Sequence, residues 1–296
     1  MASESLGGPG RPVSQRGQWH VRGATVHDIA SITRFLHGFW PQIAPAAWRP
    51  LFEYDWIPDK PDLGFVLIDG AGEIGGFLAT IYADRHTPQG PMRFCNVSSW
   101  AVLPEQRAYA LMLVREVLGR RDCVITNLSP SPEAQAFFLR LGFEPLEDAK
   151  LVWLPFANPG SLRPRAHIED HPLRLAQMLD ARGRQILADH PRCRHLAVES
   201  GGAVSHVVRI VRRKRGVRVS EILYCSDAAL LAHTFEQVKL HVLRRDGTAA
   251  LAADRRLLGE VAPRGLRLRR SACFRSGQVA PASIDGLYSE YALLPM

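Results

Sequence analysis

Val102-Leu103-Pro104-Glu105-Gln106-Arg107-Ala108-Tyr109-Ala110-Leu111-Met112 is the stretch whose reading decides the fold. Upstream of it, Phe94–Val102 is rich in apolar residues and reads as a strand. Downstream, Leu111, Val114, Val117 and Leu118 fall on one face of a helical period, which predicts a helix from about Arg107 to Gly119. A helix that opens directly from a strand presents unpaired backbone N–H groups and the positive end of its macrodipole. Such an end suits an anion, and in particular the pyrophosphate of a nucleotide-bearing molecule.

The flanks extend the same alternation. Cys123–Leu128 reads as a buried strand. Ser131 then stands as an N-cap, with Pro132 at the first helical position and Glu133 near the positive end. Ala134, Phe137, Phe138 and Leu141 recur at i, i+3, i+4 and i+7, and Gly142 supplies a left-handed stop. Toward the N-terminus, Thr25–Asp28 marks a helix start followed by Ile29, Ile32, Phe35 and Leu36. Phe65–Ile68 and Ile74–Tyr82, joined by Asp69-Gly70-Ala71-Gly72, predict a hairpin. Short strands near Phe143–Leu146 and Leu151–Leu154 are expected to close this half.

This series of elements resembles the acyl-CoA-binding domain of the GNAT N-acetyltransferase superfamily. In that family the strand ends in V-x-P and R-x-x-G-x-G/A opens the helix. Pro104 and Arg107 match, while Ala108, Ala110 and Met112 stand at family glycines. The family's later helix reads N-x-x-A-x-x-x-Y-x-x-x-G-F; here Ser131 to Phe143 keeps Ala134, Gly142 and Phe143, with Phe138 at the tyrosine.

The resemblance covers residues 19–155 and implies an α+β fold with a mixed sheet. It also implies transfer of an acetyl or other short acyl group from acyl-CoA to an amine or hydroxyl of a small-molecule acceptor. Pantetheine would lie between the strand ending at Val102 and Cys123–Leu128, bonded to the backbone of Trp100, Ala101 and Val102. The pyrophosphate would meet Arg107, Ala108, Tyr109, Ala110, Leu111 and Met112. Asn127 and Ser131 would border the thioester end. The family's general-base carboxylate falls at about Ser98, and the tyrosine that protonates the leaving thiolate falls at Phe138. Neither position carries that group, so the resemblance assigns no catalytic acid or base. A catalytically weak acyl-CoA-binding or scaffold module is therefore the alternative reading. Two other readings stay open: Arg107 as an ordinary helix-start arginine, and Asn127 as the cap of the following turn. Trp40, Trp48, Tyr54 and Trp56 lie where the family often builds its acceptor pocket, but aromatics bury large areas and usually serve in packing, which is the favoured reading.

Past a proline-containing linker, the pattern partly repeats. Leu196–Val211 echoes the first hairpin, Val217–Tyr224 the strand ending at Val102, and Ala228–Leu243 the helix after it. Ala249–Ala253 follows as a strand, and Leu266–Arg270 with Tyr288–Leu294 is expected to form a last pair. The chain thus divides into a tail at 1–18, an acyl-CoA-binding domain at 19–155 and a degenerate copy at 165–296, two tandem halves in all. No second acyl-CoA loop appears.

Residues 1–160 carry 14 Lys and Arg against 16 Asp and Glu, whereas residues 161–296 carry 23 against 13. The net charge of +8 therefore sits in the second half, where Arg212-Arg213-Lys214-Arg215 reads as a solvated hairpin tip, with an anion-binding patch as the alternative. No helix-turn-helix or aromatic-interleaved basic strand points to nucleic acid. Five widely spaced cysteines without a CxxC pair argue against a disulfide framework or a zinc site and fit a reducing cytoplasm. His37 and His86 have no partners at metal-ligand spacing. The apolar runs are all too short to span a bilayer, and the Gly/Pro/Ser-rich N-terminus is expected to be a flexible tail rather than a signal peptide.

Overall fold

A computed structural model of the chain describes residues 19–146, 149–156, 166–214, 216–259, 262–277 and 279–294. The expected tail at 1–18, most of the linker and Arg215 lie outside the described residues. The first half contains β1 (His20–Gly23), α1 (Ile29–Phe39), α2 (Pro50–Glu53), β2 (Phe65–Ile68), β3 (Ile74–Thr87) and β4 (Gly90–Val102). It continues with α3 (Ala110–Leu118), β5 (Cys123–Asn127), α4 (Pro132–Arg140), β6 (Glu144–Pro145) and β7 (Ala149–Trp153). After the linker come β8 (His167–Glu169), α5 (Pro172–Met178), α6 (Ala181–Asp189), β9 (Arg194–Ser200), β10 (Ala203–Lys214) and β11 (Val217–Cys225). The chain ends with α7 (Ala228–His233), α8 (Phe235–Asp246), β12 (Ala250–Asp254), β13 (Leu266–Arg269), β14 (Cys273–Arg275) and α9 (Glu290–Leu293).

Two seven-stranded mixed sheets result, ordered β1-β2-β3-β4-β5-β14-β6 and β13-β7-β12-β11-β10-β9-β8. In each, a hairpin leads to a central parallel pair, β4 with β5 and β11 with β12, so the repeat read in the sequence is present in the topology. Local chemistry places the elements as expected. Ser131 Oγ accepts the Ala134 N–H at 3.2 Å, and Val114 and Val117 bury the inner face of α3, although Leu113 joins them there and Leu111, expected inward, is exposed. Gly142 takes φ 84, which lets Phe143 N–H reach back to Phe138 O at 3.2 Å.

Four expectations are corrected. The two strands expected to close the first half do not pair: β6 bonds to β14, and β7 lies between β12 and β13 in the other sheet. Each half thus lends a strand to the other's sheet. Tyr288–Leu294 is not a strand; it contains α9 and is almost wholly buried. The single helix expected over Ala228–Leu243 is broken into α7 and α8 at Thr234, whose hydroxyl bonds to Leu230 O at 2.8 Å. Ahead of α3, Pro104–Tyr109 winds as a 3-10 helix, so the α-helix opens at Ala110 rather than Arg107.

The halves share one core. Phe94, Val124 and Leu128 of the first pack with Val208, Leu223 and Ile284 of the second. Arg85 on β3 pairs with Asp285 at 2.5 Å, both buried. Beside this seam lie three histidines. His195 and His206 share a 3.1 Å bond between Nδ1 and Nε2, while His190 packs edge-on against Trp56 and Tyr288 with neither ring nitrogen hydrogen-bonded.

Burial first, and then the neighbouring histidines, pushes His190 and His206 down to about 3 from the ordinary 6.5. The folded state therefore binds fewer protons than the unfolded chain. The stability these groups contribute is present above pH 6.5 and is lost as pH falls from 6.5 toward 3. Thermal unfolding midpoints measured against pH are expected to decline below 6.5. His190→Phe, which keeps the aromatic contacts and removes the titration, is expected to make that decline shallower.

Candidate active site

β4 and β5 run side by side only from Arg93 opposite Cys123 to Asn96 opposite Thr126. Past that point β5 turns away after Asn127, and β4 continues to Val102 with β3 alone beside it. The strands form a fork. On the β3 side, Ala79 pairs with Ser98 and Phe77 with Ala101, so Leu78 faces both Ser99 and Trp100. This is a β-bulge, and Ser99 at its corner takes φ 51, a left-handed conformation that costs a non-glycine residue about 1 kcal/mol. Side chains on a regular strand alternate faces. The bulge breaks the alternation, and Ser98, Ser99 and Trp100 all line one cavity of about 610 Å³.

Both halves of the chain contribute to this cavity. Trp40 and Trp48, with ring centroids 5.5 Å apart, form one wall together with Gln42 and Ile43. Asn127, Ser129, Pro130, Ser131 and Ala134 carry the wall from β5 into α4. The second half supplies Arg212, Arg213 and Lys214 from the end of β10, and Tyr291 and Leu294 from the C-terminal segment.

At the crotch of the fork sits Glu290, from α9, fully buried. Asn96 Nδ2 donates to it at 2.5 Å, and Ser129 Oγ donates to its other oxygen. Thr126 Oγ1 donates to Asn96 Oδ1 at 3.0 Å, which fixes the amide so that its NH₂ faces the carboxylate. Burial pushes Glu290 above the usual carboxylate range, against the lowering effect of those hydrogen bonds. Nearby, Tyr291 OH and Arg270 both donate to Leu128 O, at 3.1 and 3.2 Å.

Behind Tyr291 lies a buried charge network. Lys150 and Arg212 both bond to Glu221, and Arg270 pairs with Asp254. Burial, then the cations Arg270, Arg212 and Lys214, brings Lys150 down to about 7 despite Glu221. Burial would raise Glu221, but Lys150, Arg212 and Arg270 hold it down at about 2.

The cavity brings together Trp100, Asn127 and Ser131 from the sequence-based set. Ala101 is buried in the first-half core, and Val102 packs against the core beside α3. Arg107, Ala108 and Leu111 are exposed, and Tyr109, Ala110 and Met112 half-buried, none of them at the cavity. Within this loop the Gln106 N–H bonds to Leu103 O and the Ala110 N–H to Arg107 O, so the loop is wound rather than open. Phe138 is fully buried beneath Trp100, with ring centroids 5.6 Å apart, and not on the cavity surface.

Of the aromatic set, Trp40 and Trp48 line the cavity, while Tyr54 and Trp56 face the His190 side. The reading of the run at Arg212 as a solvated tip is corrected in part: Arg212 is mostly buried and ion-paired, whereas Arg213 and Lys214 are exposed at the hairpin end as expected and border the cavity. Glu290 and Ser129 were missed. An isolated glutamate in the apolar run Leu287–Leu294 was the available signal, since a charge inside a buried segment needs partners. His37 Nδ1 meets Ile43 O at 2.9 Å, and no cluster of metal-ligating residues occurs among the described residues. The five cysteines are unpaired, and no helix among the described residues is long and apolar enough to cross a membrane.

The forked mixed sheet with its bulged central strand, repeated in a second sheet, is the GNAT N-acyltransferase fold in tandem. No family model matches the sequence, and no curated protein matches it. Among solved structures, a GCN5-related N-acetyltransferase from Anabaena variabilis is 12% identical, covering 87% of this chain and 72% of its own, at a TM-score of 0.54. The glucosamine N-acetyltransferase region of a fungal multi-domain β-N-acetylglucosaminidase is 11% identical at a TM-score of 0.58; the match covers 88% of this chain and 38% of that protein. N-myristoyltransferase from Saccharomyces cerevisiae, solved with myristoyl-CoA, is 8% identical over 94% of this chain and 85% of its own, at a TM-score of 0.50. The likeness is one of fold.

Ser99→Gly removes the steric cost of the left-handed corner and is expected to raise the thermal midpoint slightly, whereas Ser99→Val is expected to lower it. Equal midpoints for the two variants would show that the corner stores no strain.

Proposed function

We propose that this protein transfers an acyl group from acyl-CoA to an amine or hydroxyl of a small-molecule acceptor held in the cavity at the fork. The observation that carries the reading is the fork itself. Past Asn96, the β5-facing edge of β4 has no strand partner among the described residues and opens beside a cavity with walls from both halves. A pantetheine amide fits such an edge, because it offers the same N–H and C=O groups as a missing strand. Trp100, Ala101 and Val102 would hold that arm, Asn127 and Ser131 would border the thioester, and Arg107 would meet phosphate at the outer end. Ala108, Tyr109, Ala110, Leu111 and Met112 would contribute surface more than N–H groups, given the wound loop.

In this reading the acceptor nitrogen attacks the thioester carbonyl. A C–N bond forms, the C–S bond breaks, and CoA leaves as thiolate to be protonated on release, since Phe138 has no proton to give. The proton lost by the amine passes through Ser129 Oγ to Glu290, whose burial favours its taking one up and whose bond from Ser129 provides the path. A cytoplasmic setting accords with five unpaired cysteines.

A second reading, a GNAT-like module without turnover, is favoured by two observations. Trp100 lies against Phe137, ring centroids 5.1 Å apart, between β4 and α4, and the loop N–H groups are partly spent internally. Titration calorimetry with acetyl-CoA and a longer acyl-CoA separates the readings from a non-binder. Binding is expected, and no heat at millimolar ligand would remove the acyl-CoA role altogether. Turnover across an amine panel then separates enzyme from module. For the enzyme, Glu290→Gln is expected to lower kcat by about 10²-fold or more and leave acyl-CoA affinity unchanged. It is also expected to abolish the acid limb of the pH–rate profile, in which rate rises as the carboxylate ionises. An unchanged profile would rule out the proton relay.

A further inference from the structure

We infer that the ligand of this cavity carries an anionic group, a carboxylate or a phosphate, and that in the acyl-transfer reading this ligand is the acceptor. The acceptor role rests on that reading; the charge preference rests on the cavity alone.

Among the described residues no aspartate or glutamate lines the cavity, whereas Arg212, Arg213 and Lys214 do. Arg212 is neutralised by Glu221, its Nε 2.9 Å from Oε2. Arg213 and Lys214 make no ion pair among the described residues, although both stand at the edge of the space. The carboxylates near the wall are already engaged. Glu221 is bound by Lys150 and Arg212, Asp254 by Arg256 and Arg270, and Glu290 faces Asn96 and Ser129. Meanwhile Lys150, Arg212 and Arg270 all lie within 5.8 Å of the Tyr291 ring, itself part of the cavity wall. Lys214, exposed at its end but partly desolvated along the wall, has its pKa lowered by that desolvation and then by Arg212 and Arg270, against the raising effect of Glu221.

Trp40 and Trp48 line another part of the same cavity. The Trp40 and Trp48 rings offer an apolar face, and the buried Trp48 indole N–H has no hydrogen-bond partner. A molecule with an apolar or planar body against the indoles and an anion toward Arg213 and Lys214 would present its third side to Ser129. A polycationic acceptor meets the same wall with like charge and is disfavoured.

The test uses the full chain and two matched pairs, phenylalanine with phenethylamine and glucosamine 6-phosphate with glucosamine. Members of each pair differ by the anionic group, and their binding is measured by calorimetry without acyl-CoA. In at least one pair the anion-bearing member is expected to bind about 10-fold or more tightly than its partner, with the preference weakening as salt is raised. The double variant Arg213→Ala/Lys214→Ala, at two exposed positions, is expected to bring that pair to parity and leave CoA affinity unchanged. Which pair responds distinguishes carboxylate from phosphate. Equal or tighter binding of the anion-free members, or no binding by either pair, would overturn the inference. It also falls if the double variant weakens CoA and spares the small ligands, since the cations would then serve the donor's phosphates. Absence of acyl-CoA binding together with an intact anion preference would instead sink the acyl-transfer reading alone.

Discussion

Two strands that part after Asn96 and Thr126 leave polar groups stranded at the crotch of the fork, and a carboxylate answers them from 194 residues further along the chain. That contact has to be made, because buried polar groups without partners cost about 1–3 kcal/mol each. Glu290 accepts from Asn96 and Ser129, and the segment that delivers it also brings Tyr291 and Leu294 to the cavity and Leu293 to the first-half core. The fork is therefore completed by the far end of the chain. Without the second half, the first would hold an open cleft with Asn96 unanswered.

The exchange of strands follows the same dependence. β14 inserts between β5 and β6, and β7 lies between β12 and β13. Each sheet beyond its parallel pair is thus finished by a strand borrowed from the other half. A sheet edge that is buried must be paired, and here each half supplies the pairing the other lacks. The shared core of Phe94, Val124, Val208 and Leu223, and the buried Arg85–Asp285 pair, fasten the arrangement. Buried ion pairs of this kind add little net stability, but removal of one partner is costly. Their value here is in setting how the halves meet.

The cavity carries the consequence for chemistry. Its apolar wall and its serines come from the first half, and its positive wall from the second. The uneven distribution of charge along the chain, near neutral before residue 160 and basic after it, thereby becomes a polarity across one space. The second half thereby shapes the space at the first half's fork.

Local chemistry in the sequence determined much of this protein. The Ser131 cap, the Gly142 stop and the two hairpins are each specified by residues a few positions apart, and each was legible; the inward face of α3 was legible at Val114 and Val117 but not at Leu113. The repeat was legible for the same reason, because apolar periodicity marks each element in turn. The borrowed strands were not legible: Cys273–Arg275 is three residues long, and nothing in it encodes a partner near Asn127 rather than near Asp254. The winding of Pro104–Tyr109, the bulge at Ser99, and the approach of Glu290 to Ser129 likewise depend on neighbours remote in sequence. Aromatic and basic residues read as packing and as solvated turn became cavity walls only when the halves closed on each other. The sequence by itself set the elements and the family likeness of the fold. The tertiary structure alone decided which groups face the cavity, because burial and electrostatic pairing are properties of neighbours in space.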